Sequence, residues 1–279
     1  MNIVGRLQQL FSRKPAGIRF TGDFKSWDDA KKCSTGYEAP EILEKTRAAL
    51  LKVRAGKAAF ERDSVAFDEM EYDFPLLSGL MRAAARDEGR LSVLDFGGSL
   101  GGTYFHYHND LSPLRQVRWS VVEQPAHVAC GKKDFADDEL HFYNTIDDCL
   151  REQSPNVFLL SGVIQYLPEP YHFLREVVEK RIAFVLIERT ALSRNGQDRL
   201  TIQHVPASLY SASYPMWILS EPAFRQIFVA DYDLICDYLS AHEARLETGR
   251  IVFKGFQFER KSVHPCQLTP PACDKIIAI

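Results

Sequence analysis

Residues 93–102 read Val-Leu-Asp-Phe-Gly-Gly-Ser-Leu-Gly-Gly, an apolar run that ends on an acid and then breaks into glycines. The run predicts a buried strand from Leu91 to Phe96 that delivers Asp95 to the carboxyl edge of a parallel sheet, where open α/β folds bind ligands. Gly97, Gly98, Gly101 and Gly102 let the backbone turn sharply and approach a ligand closely, because a missing Cβ permits both a positive φ and contact. A second apolar run, Val117 to Val122, carries Glu123 and Gln124 to the same edge roughly 20 residues beyond the loop, where a carboxylate accepts both hydroxyls of a ribose. The pair predicts a site for a nucleotide-type cofactor. A tight strand-to-helix turn that binds nothing is the competing reading of the glycines alone, and the spaced Glu123 weighs against it.

Position 99 separates the cofactors. A dinucleotide fingerprint wants glycine there so that the backbone can reach a pyrophosphate, and this chain has Ser99. NAD is disfavoured. S-adenosylmethionine keeps the adenine and ribose but has no pyrophosphate, so it needs the glycine bend and the ribose acid while tolerating a side chain at 99.

The motif resembles the first motif of class I S-adenosylmethionine-dependent methyltransferases, matching it at Asp95, Gly97 and Gly101 and departing at Ser99. The chain is similar, more specifically, to a bacterial methyltransferase family of unassigned substrate that shares the Gly-Gly-Ser-Leu-Gly loop. That family's pattern continues in Val-Val-Glu-Gln at 121–124, Ser-Gly-Val-Ile-Gln-Tyr-Leu at 161–167, Glu-Arg-Thr at 188–190 and Ser-Tyr-Pro-Met-Trp at 213–217. The resemblance runs from about Trp27 to the last strand. It implies an α/β fold with a Rossmann-like seven-stranded sheet in the order 3-2-1-4-5-7-6, and S-adenosylmethionine as cofactor.

The hydrophobic pattern is compatible with that fold. After Glu123, strands are expected at Leu140–Tyr143, Val157–Ser161, Ile182–Glu188, Tyr232–Tyr238 and Arg250–Arg260. Ahead of the first strand, Ile42, Leu43, Ala49, Leu50 and Val53 fall at helical spacing between Pro40 and Gly56, and a second helix is expected from Pro75 to Asp87, closed by Gly89. Residues 1–88 are therefore read as an N-terminal helical cap on the substrate side, with Trp27, Gly36 and Tyr37 lining it, and residues 89–279 as the sheet domain. Segment 190–220 is long against the usual connection of roughly 4–6 residues and is read as a lid-like insertion.

Candidate site residues follow. Asp95, Gly97, Gly98, Ser99 and Gly101 are expected to hold the amino-acid end of the cofactor, Glu123 the ribose with Gln124 beside it, and Tyr143 and Asn144 the adenine rim. Ser161, Gly162 and Gln165 fall after the fourth strand, beside the transferring methyl if the fold holds; Ser161 as a plain helix cap is an equal alternative. Tyr166 is either a catalyst or a packed aromatic. Arg189, Gln203, Tyr210, Tyr214 and Trp217 combine aromatic faces with hydrogen-bonding groups, which suits a polar, ring-shaped or carbohydrate-like acceptor, although each ring alone also reads as a pin holding the loop to the core. His204 is the candidate general base, since imidazole titrates near neutral pH. Glu188 and Arg189 read as a pair with each other or with the acceptor. His106 and His108, two apart on a helix, face different ways and do not suggest a shared metal.

Composition excludes other classes. With 34 basic and 37 acidic residues the formal net charge is −3, and no basic stripe is long enough to track a phosphate backbone, so nucleic acid is not the expected partner. Cysteines at 33, 130, 149, 236, 266 and 273 show no Cys-x-x-Cys or zinc spacing and read as reduced thiols in a cytoplasmic protein. Asn2 to Phe11 reads as a short amphipathic stretch, far below the roughly 20 apolar residues that span a bilayer. The expected activity is methyl transfer from S-adenosylmethionine to a small or carbohydrate-like acceptor, at oxygen. A methyltransferase-like binding or regulatory protein is the alternative from another class, and a nucleotide-sugar enzyme is the third.

Overall fold

The fold was analysed in a computed structural model that describes residues 18–36, 40–193, 196–206, 212–240 and 251–262. Tyr37, Tyr210, the Asn2 to Phe11 stretch, Cys266 and Cys273 lie outside the described residues.

A parallel core occupies the centre of the sheet. Strand β4 (Arg90–Phe96) pairs in parallel with β5 (Gln116–Val122) on one side and β7 (Val157–Ser161) on the other. Beyond them lie β6 (Leu140–Tyr143) and β8 (Phe184–Ser193), also parallel. The order reverses at β4, so the loops after β4 and β7 flank a topological switch point. On the outer edge of β8, β12 (Ile251–Arg260) pairs antiparallel, and β11 (Tyr232–Leu239) pairs antiparallel with β12.

The sheet is larger than the seven strands expected. It has ten strands and branches at β8, whose last residues pair with β10 (Ala212–Ser220); β10 pairs antiparallel with β9 (Arg199–Val205), and β9 with β1 (Arg19–Phe24). Most of the described part of segment 190–220 is thus strand, hydrogen-bonded into a sheet. The N-terminal region is likewise not all helix: besides α1 (Trp27–Lys32), α2 (Pro40–Arg54) and α3 (Phe74–Arg86) it holds β1 and a hairpin, β2 (Phe60–Arg62) with β3 (Val65–Phe67). Leu50 of α2 and Leu76 and Leu80 of α3 belong to the same core as Leu91 and Val93 of β4.

Local sequence explains the element ends. The Asp73 side chain accepts from Leu76 N–H and caps α3, with Pro75 in its first turn. At the other end Gly89, with φ of 80°, turns its N–H back to the Ala84 carbonyl. Helix α4 (Gly102–Leu111) starts from Gly101 at φ 88°. Alternation along β4 sends Leu91 and Val93 into one core layer with Tyr104, Tyr107 and Leu111 of α4, and Leu94 and Phe96 into the other. That second layer is closed by α6 (Ile146–Glu152), α7 (Pro170–Glu179) and α8 (Glu221–Phe228). Among the described residues no helix is long and apolar enough to cross a membrane.

Helix α5 (Pro125–Asp134) meets β6 through Gly131, where an added Cβ would lie 2.5 Å from the buried Phe142 ring. Gly131→Ala is expected to destabilise the fold by about 1–3 kcal/mol through overpacking. Thermal unfolding of the variant checks this, and an unchanged midpoint contradicts the contact.

Candidate active site

A cleft of about 1060 Å³ opens at the carboxyl ends of β4, β5 and β7, beside the middle of β8. Its floor is the glycine loop. Gly97 at φ 72°, Ser99 at φ 54° and Gly101 at φ 88° alternate through the left-handed region within five residues. Ser99 therefore adopts the conformation a glycine would, at a cost of roughly 1–2 kcal/mol for a residue with a Cβ. The departure from the family motif changes the side chain and leaves the bend intact. Gly97 donates its N–H to the Val122 carbonyl, and an added Cβ there would lie 2.6 Å from Val163, so the loops after β4 and β7 touch.

Asp95 lies beneath this loop and does not reach the cleft. Its alternation with Leu94 turns the carboxylate to the α4 side of the sheet, where it is fully buried and accepts a hydrogen bond from Trp119 Nε1 at 3.0 Å. A Cβ on Gly98 would stand 2.4 Å from the carboxyl carbon, so the loop rests directly on the acid. Burial pushes the Asp95 carboxyl up to about 7; the Trp119 hydrogen bond opposes this and the Glu123 charge adds to it. Asp95 is thus a buttress for the loop, and the expectation that it contacts the cofactor is corrected. Gly101 is also outside the cleft, packed toward Leu140.

Glu123, Gln124 and Asn144 line the cleft on the β5 and β6 side. One Glu123 oxygen accepts from the Gln124 N–H at 2.6 Å, which fixes the carboxylate at the strand end. Tyr143 does not line this cleft: its ring belongs to the second core layer and its hydroxyl meets Glu152 and Gln153. Ser161 and Gly162 line the cleft beside the loop, and Gly162, at φ 68°, lies under the Arg189 guanidinium, where a Cβ would come within 3.0 Å.

The far end of the cleft brings together residues distant in sequence. Tyr166 donates to Gln203 Oε1 at 2.9 Å, Gln203 Nε2 donates to the Tyr214 hydroxyl at 3.1 Å, and the two tyrosine rings meet edge to face at 5.3 Å. Three sequence candidates thus form one wall. Gln165 donates to the Arg189 carbonyl at 3.0 Å. His204 is on the other side of β9, bonded to Thr21 at 2.7 Å, because Gln203 and Val205 take the cleft-facing positions of that strand. The general-base role expected for His204 is corrected accordingly. Trp217 is also outside this cleft, its indole N–H donating to the Pro168 carbonyl at 3.3 Å.

Several lining residues have no sequence-level signal. Glu61 on the β2–β3 hairpin accepts from Ser64 N–H at 2.8 Å, and burial pushes its carboxyl up to about 7. Asp73, Asp63, His106 and Tyr107 complete this end. Glu188 and Arg189 are consecutive on β8 yet both line the cleft. The cause is a β-bulge: Ile187 pairs with Phe256 and Thr190 with Lys254, so Glu188 and Arg189 together oppose the single residue Gly255, and Arg189 takes φ of 50°. Read as a pair with each other or with the acceptor, the two make no hydrogen bond to one another, although the Arg189 charge still acts on Glu188. Arg189 reaches to Asp63 at 3.4 Å, while Glu188 is buried with neither oxygen hydrogen-bonded among the described residues. Burial first, and the nearby Asp73 charge second, raise the Glu188 carboxyl well above its ordinary range, against the pull of Arg189.

The sheet order and the cleft at its switch point define a Rossmann-like α/β protein. No protein-family model matches the chain, and no curated protein does. Among solved structures, the N-terminal domain of EvdMO1 with SAH bound is similar at a TM-score of 0.45 and 12% identity, over 79% of this chain and 96% of that one. The glycopeptide N-methyltransferase MtfA complexed with SAM gives 0.44 and 15%, over 66% and 88%. The cyclase SpnF gives 0.45 and 10%, over 78% and 94%.

Proposed function

We propose that this protein is a cytoplasmic S-adenosylmethionine-dependent methyltransferase that methylates a hydroxyl of a small or carbohydrate-like acceptor. The observation that carries the reading is the placement of Glu123 and the left-handed glycine loop on adjacent strand ends of one cleft. The residues present fit the cofactor. Gly97, Gly98, Ser99, Ser161 and Gly162 leave room for an amino-acid tail, Glu123 offers a fixed carboxylate to a ribose, and Gln124 and Asn144 flank the space for adenine. The cleft of about 1060 Å³ is at the large end of the range for ligand sites, and its lining runs from the glycine loop to the Tyr166, Gln203 and Tyr214 wall.

When bound, S-adenosylmethionine supplies an electrophilic methyl group on a sulfonium. The chain's own part is positioning and exclusion of water: the rate gain comes from holding an acceptor oxygen in line behind that methyl. The Tyr166, Gln203 and Tyr214 wall, cross-linked by its own hydrogen bonds, is a rigid face for a ring-shaped acceptor, with Arg189 above Gly162 as a further donor. Residues 1–88 and the β9–β10 insertion form the acceptor side in this reading, and the rest of 89–279 the cofactor side.

Calorimetric titration tests the assignment. Wild-type protein is expected to bind S-adenosylmethionine and its demethylated product, and Glu123→Ala to weaken both by about 1.5–3 kcal/mol, the value of hydrogen bonds to a charged group. Unchanged affinity in the variant contradicts the ribose role of Glu123.

A further inference from the structure

We propose that Glu188 is the catalytic residue that binds the acceptor's reacting hydroxyl and removes its proton. The proposal rests on the methyl-transfer reading above. Three independent features carry it. Glu188 is buried in the cleft wall with no N–H or O–H donor of standard geometry on either carboxylate oxygen among the described residues, although buried polar groups are almost always paired; its near neighbour is another acid, the Asp73 carboxyl, which can share a proton with it but cannot donate while both are ionised. The bulge opposite Gly255 is what brings Glu188 and Arg189 to the same cleft, and such bulges recur beside active sites because they re-aim side chains. Finally, Glu188 is tied to the methyl-transfer end: its carbonyl accepts from Gly162 N–H at 2.9 Å, and its Cα is paired in register with Ser161.

The surroundings raise the proton affinity of this carboxylate. Asp73, at the start of α3, faces Glu188 as a like charge, and Tyr107 of α4 donates its hydroxyl to the Asp73 carbonyl at 3.1 Å. Arg189 is the nearby cation, and Cys236 of β11 and Tyr107 lie within the field of Glu188 itself. Burial and Asp73 outweigh Arg189, so the carboxyl holds its proton more tightly than an exposed glutamate. In the step itself the acceptor O–H breaks, its proton passing to a Glu188 oxygen. The electron pair left on oxygen forms the new O–C bond, and the bond from the methyl carbon to sulfur breaks with its pair remaining on sulfur.

The test combines turnover with a measurement that needs no acceptor. Methyl-labelled S-adenosylmethionine is incubated with the protein and a protein-free metabolite extract, and label in small molecules is counted. Glu188→Gln is expected to lower label transfer by about 10²- to 10⁴-fold, the usual worth of a general base, while S-adenosylmethionine affinity stays within about twofold. Glu188→Asp is expected to restore part of the activity with a displaced pH profile. Separately, ¹³C-carboxyl NMR of glutamate-labelled protein, with the Glu188 signal assigned by its loss in Glu188→Gln, is expected to show titration well above the ordinary value of about 4.3. Titration in the ordinary range, label transfer by Glu188→Gln at the wild-type rate, or methylation found at nitrogen overturns the proposal. Failure of wild-type protein to bind S-adenosylmethionine overturns instead the reading it rests on.

Discussion

Gly98→Ala is expected to weaken S-adenosylmethionine binding by about 10- to 100-fold. The added methyl would stand 2.4 Å from both the carboxyl carbon and Oδ2 of Asp95. That carboxylate cannot turn aside, because it is fully buried and held by Trp119 Nε1. The loop must therefore lift, and overpacking of about 1–3 kcal/mol falls on the segment that shapes the cleft floor, at 1.4 kcal/mol per factor of ten. Removing the obstacle checks the cause. In the double variant with Asp95→Ala the two losses should be less than additive, and strict additivity would show that the contact does not carry the effect.

Replacing Asp95 with asparagine is expected to change how stability depends on pH. An aspartate near 3.8 in the unfolded chain is held at about 7 in the fold, by burial first, opposed by the Trp119 hydrogen bond and reinforced by Glu123. Between these values the folded protein keeps a proton that the unfolded chain has lost. Stability is therefore fullest below about pH 4 and falls as pH rises through 7, by up to about 4 kcal/mol at 1.36 kcal/mol per pH unit. Asparagine keeps an oxygen for Trp119 but has no charge to bury, so the Asp95→Asn protein should lack this part of the fall. Glu61 and Glu188 act in the same direction in both proteins, so the difference between the two denaturation series from pH 4 to pH 8 isolates Asp95. A difference that does not grow with pH rules out the buried, protonated acid.

These two expectations concern a unit whose residue types were legible in the sequence and whose roles were not. An apolar run ending in an acid before glycines places a strand and a bend, because burial and a missing Cβ act over a few neighbouring residues. Which way Asp95 faces depends on which layer of helices covers each side of β4. A one-residue difference in facing likewise put Gln203 in the cleft and His204 against Thr21. The β9 and β10 strands read as a lid-like insertion on the length of the segment alone, and Pro215 is a residue that central strands usually exclude. Yet Pro215 pairs with Ile202 in an unbroken register, and the alternation of Leu200 and Ile202 was the available signal. The β2–β3 hairpin, with three residues in each strand, is too short to carry a period, so Glu61 went unnoticed.

The sequence by itself determined the parallel core strands, the left-handed bend that follows the first of them, and the acid at the end of its neighbour. Each depends on propensities and periodicities that a short segment carries wherever it is placed. The tertiary structure alone decided that Glu61, Asp73 and Glu188, separated by up to 127 positions, share one wall, and that a single unmatched residue in the β8–β12 ladder puts Glu188 and Arg189 on the same cleft. Strand pairing and helix packing set those distances, and no local pattern encodes a bulge that exists only relative to its partner strand.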